Sequence, residues 1–163
     1  MRTKIEAGPL WVEHLRPGMQ ITLPRTACGE NRVAAYADLV GAQHPVHLDD
    51  DFAKASGFGG RIVHGPLPLG VSLAALGEAF GPALVSLLEV KSWSFIAPVF
   101  VPSDLRTEAH VLRIERSGGG ATGTVEVEVR LIGDDGTLLQ RGEVRLLVRR
   151  QSPGLLPSDS RGR

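Results

Sequence analysis

Cysteine is almost absent from this chain of 163 residues: Cys28 stands alone, so no intrachain disulfide and no thiolate metal cluster can form. Net charge is absent too. Eighteen basic residues balance eighteen acidic ones, which removes the electrostatic case for nucleic acid or an anionic membrane as a partner. No long apolar run occurs; the most hydrophobic stretch, Pro66 to Leu88, is interrupted by Pro68, Glu78 and Pro82 and makes a poor membrane span. The first residues, MRTKIEAGPLWVEH, lack the roughly 7–15-residue apolar core of a signal peptide. A cytoplasmic protein is the expectation. Aromatics are scarce at 5%, but 42% hydrophobic residues are enough for one ordinary globular core.

Residues 1–151 read as one domain, and the tail SPGLLPSDSRGR (152–163), rich in Pro, Ser and Gly, is expected to be disordered. Met19–Leu23 alternates like a first strand after the turn Arg16-Pro17-Gly18. Thr26 is placed to cap a helix over Glu30–Val40, with Val33, Ala34, Ala37 and Val40 on one face. A longer helix, about Leu67 to Phe80, is apolar nearly all round and suggests a central buried element that Gly81-Pro82 stops. Strands follow: Val85–Phe95, Asp104–Arg116, Gly123–Ile132 and Thr137–Arg149, the last two joined by the turn Gly133-Asp134-Asp135-Gly136. One long helix with a largely antiparallel sheet predicts an α+β layer architecture, the hot-dog arrangement of a sheet wrapped around a helix.

Two stretches carry chemistry. The first is GAQHPVHLDDDFA (41–53), with His44 and His47 on a proline-containing loop; the second is GFGGRIVHGPLPLG (57–70), where His64-Gly65-Pro66 opens the long helix. Together they resemble the MaoC-like, or R-specific enoyl-CoA hydratase, family. That pattern runs G-D-x-N-P-x-H and then F-x-x-x-I-x-H-G, and His47 stands seventeen positions before His64 as it requires. Phe95-Ile96-Ala97-Pro98-Val99 and Asp104 match a later strand entry of the family, with Ser103 where glycine is usual.

The resemblance implies addition or removal of water at a 2-enoyl or 3-hydroxyacyl thioester, carried by CoA or a carrier protein. An aspartate and a histidine would handle water and protons, and the glycine after the second histidine would offer its N–H to the thioester carbonyl. A helix N-terminus suits that task because its N–H groups are unpaired and carry partial positive charge. His47 and Gly65 fall on the matching positions. The family's aspartate falls on Ala42 and its asparagine on His44. Ala42 can hold neither proton nor water, which makes His44 the nearest substitute base, with His47 as acid.

Asp49, Asp50 and Asp51 read as the cap and first turn of a helix rather than as catalytic carboxylates. The pocket is expected between the His44–Asp49 loop and the long helix. Its substrate contacts are expected at Ala42, Arg61, Val63, His64 and Leu69, with an acyl chain running along Leu69 and Leu73. His64 is read as fixing the turn by a hydrogen bond, and Tyr36 as core. A zinc site at His44, His47 and His64 is disfavoured by the loop geometry, and no metal or organic cofactor is expected. Gly57, Gly59 and Gly60 lack the Walker lysine and read as loop hinges. A homodimer, or a heterodimer with another hot-dog subunit, should form by pairing of sheet edges. Two other functions stay open: a silent partner subunit, and an enzyme repurposed for cyclisation or thioester hydrolysis.

Overall fold

The structure, a computed structural model, describes residues 9–116 and 120–151. The tail expected to be disordered lies outside the described residues. Two short strands, β1 (Gln20–Thr22) and β2 (Thr26–Cys28), precede helices α1 (Glu30–Val40), α2 (Asp50–Ala55) and α3 (Pro66–Phe80). Four long strands follow: β3 (Leu84–Phe95), β4 (Ser103–Arg116), β5 (Thr122–Ile132) and β6 (Leu138–Arg149). The sheet order is β1-β4-β5-β6-β3 with antiparallel pairing, and β2 also pairs with β4. This is an α+β hot-dog: an antiparallel sheet curved about one long helix.

The alternation in β5 decides which face looks inward. Val125, Val127, Val129 and Leu131 are buried, while Glu126, Glu128 and Arg130 lie on the other face. In β6 the inward stripe is Gln140, Gly142, Val144, Leu146 and Val148. Leu67, Leu76 and Phe80 of α3 pack on these strands in one core.

Three expectations need correction. Of the face expected on α1, only Val33 and Ala37 are buried, while Ala34 and Val40 are exposed. Thr26 does not cap α1; it lies in β2 opposite Leu105, and Gly29 is the N-cap. A strand pairing satisfies the backbone there and leaves the side chain no cap to make. Nor is α3 buried all round. Gly70, Ala74 and Glu78, spaced by four, form an exposed strip, and Leu69 and Leu73 are only half-buried. Glycine and alanine count as apolar in a sequence pattern, yet they cost little when exposed, so they hid the solvent side.

Candidate active site

The histidine loop is tied down at both ends. Gly41 closes α1 in the left-handed conformation (φ 72°), which suits a residue without Cβ. Pro45 then starts a single helical turn, Pro45–His47, and His44 Nδ1 accepts from the Val46 N–H at 3.3 Å. Asp49 Oδ1 accepts from the Phe52 N–H at 2.9 Å, so this aspartate caps α2 as its spacing suggests, with Asp50 and Asp51 in the first turn. Beyond α2, the segment around Ile62 joins the sheet region: Val63 N–H donates to Val99 O at 2.7 Å and Val101 N–H to Arg61 O at 3.0 Å.

His47 is held from this second segment. Its Nδ1 lies 2.8 Å from Ile62 O, and because a carbonyl only accepts, Nδ1 carries the proton. The Nε2 lone pair of the neutral ring is thereby left available. Burial pushes the His47 pKa below the ordinary histidine value; the carbonyl contact works the other way, and the His64 and His44 rings add to the lowering.

His64 stacks on His47 with ring centroids 3.7 Å apart and planes inclined by 28°. Its Nε2–H donates to Ala42 O at 2.9 Å, which ties the loop after α1 to the residue before Gly65. Tyr36 leans on the far side of His64 at 5.2 Å and is half-buried rather than core. The rings stack instead of converging on a point, and among the described residues no cluster of three His, Cys, Asp or Glu side chains is arranged to hold a metal. Nor, among those residues, does a carboxylate pair with His44, His47 or His64.

A cavity of about 280 Å³ opens here. Its walls are His47, Phe58, Ile62, Val63 and Gly65 together with Phe95–Val99 and Gln140. Gly57 and Gly59 flank Phe58 with positive φ, consistent with hinges beside the pocket. A larger cleft of about 390 Å³ lies across Ala97 and Pro98, among Phe100, Leu105 and Leu139, with Asp104, Asp134 and Asp135 at its polar side. No histidine lines it, whereas His47 lines the smaller cavity.

Of the residues expected to meet substrate, His47, Val63 and Gly65 face the cavity. Ala42 and His64 are not among its lining residues; His64 stacks on His47. The Arg61 guanidinium is engaged by Glu30 at 2.6 Å and Asp50 at 3.0 Å, bracing α1 against α2. His44 is exposed, its ring centroid 6.3 Å from that of His47. Leu69 is not a wall of the cavity in this chain; the apolar lining comes from Phe58 and Phe95–Val99 instead. The reason is helical phase: Leu67 and Pro68 take the buried positions of the first turn, and Leu69 is rotated to the flank.

Gly65 is the N-cap of α3, and Pro66 follows at the first helical position. Among the described residues its N–H donates to no carbonyl. A Cβ at this glycine would lie 2.9 Å from Phe95 Cε1, so the side wall closes directly on its α-carbon. Gln140 was not legible from the two motifs. The signal lay elsewhere, in a polar residue occupying an inward position of an otherwise apolar strand stripe.

A curved antiparallel sheet about one long helix defines the hot-dog class of proteins. The sequence profile of the MaoC like domain matches residues 13–133, and the chain belongs to that family. It is 34% identical over 115 residues to the (R)-specific enoyl-CoA hydratase of Aeromonas caviae, covering 71% of this chain and 82% of the relative. It is 29% identical over 134 residues to a 3-hydroxybutyryl-CoA dehydratase of Methylorubrum extorquens, covering 79% and 83%. A double hot-dog protein of Mycobacterium tuberculosis shares the fold with a TM-score of 0.79 at 21% identity, over 94% of this chain and 48% of that one. No helix among the described residues is long and apolar enough to cross a membrane.

Proposed function

We propose that the chain is a cytoplasmic hydratase or dehydratase of 2-enoyl and 3-hydroxyacyl thioesters, with His47 as its proton-transfer group and no cofactor. The observation that carries this reading is the His47 tautomer: Nδ1–H is committed to Ile62 O, and Nε2 is left for a water at the cavity wall. In hydration, Nε2 takes a proton from water as the hydroxyl oxygen bonds to C3. The electrons of the C2–C3 double bond move to the thioester oxygen, where the Gly65 N–H and the α3 terminus stabilise them. The same Nε2–H then delivers its proton to C2, so water is added with nothing left over. Elimination runs these steps in reverse.

His44 serves differently from the base that its position first suggests. Its Nδ1 accepts from Val46, so the neutral ring carries its proton on Nε2 and offers a donor to orient the water. Arg61 then acts through the loops it braces.

Position 42 separates this reading from a silent subunit or a repurposed enzyme. Ala42→Asp should raise crotonyl-thioester hydration by about tenfold or more, by supplying a second water-holding group. His44→Asn should lower the parent activity but matter little once Asp stands at 42. A silent subunit would stay at background in every variant. A repurposed enzyme would lose its own reaction when a charge entered the pocket. Absence of any change with a genuine enoyl thioester would sink the hydratase reading.

The assembly follows from β3. It is the terminal strand of the sheet, and Val85, Leu87, Leu88 and Val90 along it are each more than two-fifths exposed. An unpaired apolar edge is a template for another strand. We infer edge-to-edge pairing of β3 with a second hot-dog subunit, either a copy of this chain or a different one. Sedimentation of the purified chain should give twice the monomer mass at micromolar concentration; a monomer would point to the heteromeric arrangement or refute the pairing.

A further inference from the structure

Gln140 is a polar side chain only 2% exposed, set in the inward stripe of β6. Its two ends are both used. Trp93 Nε1–H donates to Gln140 Oε1 at 3.1 Å, and Gln140 Nε2 donates to Gly65 O at 3.2 Å. An indole N–H only donates and a carbonyl only accepts, so the amide has one workable orientation. The indole is itself positioned by a glycine: Trp93 lies opposite Gly142, where a Cβ would overlap its ring. A line of contacts therefore runs from Gly142 through Trp93 and Gln140 to the N-cap of α3.

We propose that Gln140 is a positioning residue for the oxyanion donor, an assignment that rests on the hydratase reading of Gly65. The Gly65 N–H and C=O sit on either side of one α-carbon. Fixing the carbonyl direction limits rotation about that residue and so fixes where the N–H aims. The Phe95 ring lies beside the same α-carbon, where it leaves no room for a Cβ. Preorganised donors act on charge that develops in the transition state, and a small misaim shows in kcat before it shows in KM. Neither motif contains this residue; it enters from the last strand of the sheet.

Three measurements test the assignment. Gln140→Met keeps the volume and removes both contacts. It should lower kcat for crotonyl-thioester hydration by roughly 10–100-fold while KM stays close to the parent value. Gln140→Glu restores both contacts only when its carboxyl is protonated, because the acid O–H can donate to Gly65 O while the other oxygen accepts from Trp93. Its activity relative to the parent at the same pH should therefore rise as pH falls. A residue that only packs would give no such pH dependence, and it would lower stability with kcat intact.

The third readout does not need turnover. Saturating butyryl-CoA, which cannot be hydrated, should move the Gly65 amide proton downfield in the parent and by less than half as much in Gln140→Met. If the parent hydrates no enoyl thioester but this difference persists, the hydratase reading falls and the positioning role stands. Equal shifts in parent and variant, no shift in the parent, or a Gln140→Met kcat equal to the parent would each overturn the positioning role. Should Gln140→Met not fold, the acid-side recovery of Gln140→Glu decides the matter by its presence or absence.

Discussion

His47→Ala is expected to lower kcat/KM for enoyl-thioester hydration by about 10²–10⁴-fold, the usual loss when a positioned acid–base group is removed. The large effect follows from the surroundings. Among the described residues no carboxylate hydrogen-bonds any of the three clustered histidines, so no second base stands ready to take over the water. The parent protein should also carry a signature of the His47 environment. His47 must be neutral to accept a proton, and burial holds its pKa below the ordinary histidine value. The acidic limb of kcat/KM should therefore lie below that ordinary value.

Stability moves in the same direction. Between the ordinary pKa and the lowered folded one, the unfolded chain binds more protons than the folded chain. This contribution to stability is complete above the ordinary value and is lost as pH falls through the window. His47→Ala should flatten that slope in urea midpoints measured across the same range. An acidic limb at or above the ordinary histidine value would contradict the assignment of His47 as the base.

The second large effect concerns stability alone. At Gly142 a Cβ would overlap the Trp93 ring and, more seriously, the Ser92 carbonyl oxygen on the neighbouring strand. The ring could turn, but the backbone oxygen is fixed by the β3–β6 ladder. Gly142→Ala should cost on the order of 3 kcal/mol, the upper range for forcing an extra carbon into a packed site, and the midpoint of urea unfolding will show it. Gly70→Ala is the contrast. Its Cβ would meet nothing within 4 Å on the exposed strip of α3. Replacing a helical glycine there should stabilise by up to about 1 kcal/mol. A neutral Gly142→Ala would mean that Trp93 does not lie across this glycine.

The residues that were readable in advance share a physical character: their partners are close in sequence or repeat with a period. Strict alternation exposed the buried face of β5, and Asp49, three residues before the Phe52 N–H it accepts, announced the α2 cap. The two motifs placed His47 and Gly65 on one cavity because each is a local loop or helix start. Long-range pairing was not available in the same way. Thr26 looked like a cap because its pairing with Leu105 depends on a strand some eighty positions further on. Gln140 meets Gly65 across 75 positions, and nothing in either segment alone names the other. Leu69 was drawn towards the cavity by its neighbours on a helical face, whereas the helix phase turned it to the flank.

The place of β6 in the sheet has a further consequence for how the protein matures. Every residue of the two motifs precedes residue 71, and the family match ends at residue 133, yet β6 spans Leu138–Arg149 and lies between β5 and β3. A chain growing from its N-terminus therefore exposes its histidine loop early and must wait for β6 to close the interior of the sheet. Until then β3 and β5 have no shared neighbour, and Gly65 lacks the amide that holds its carbonyl. The signature is written first, and the working site is assembled last.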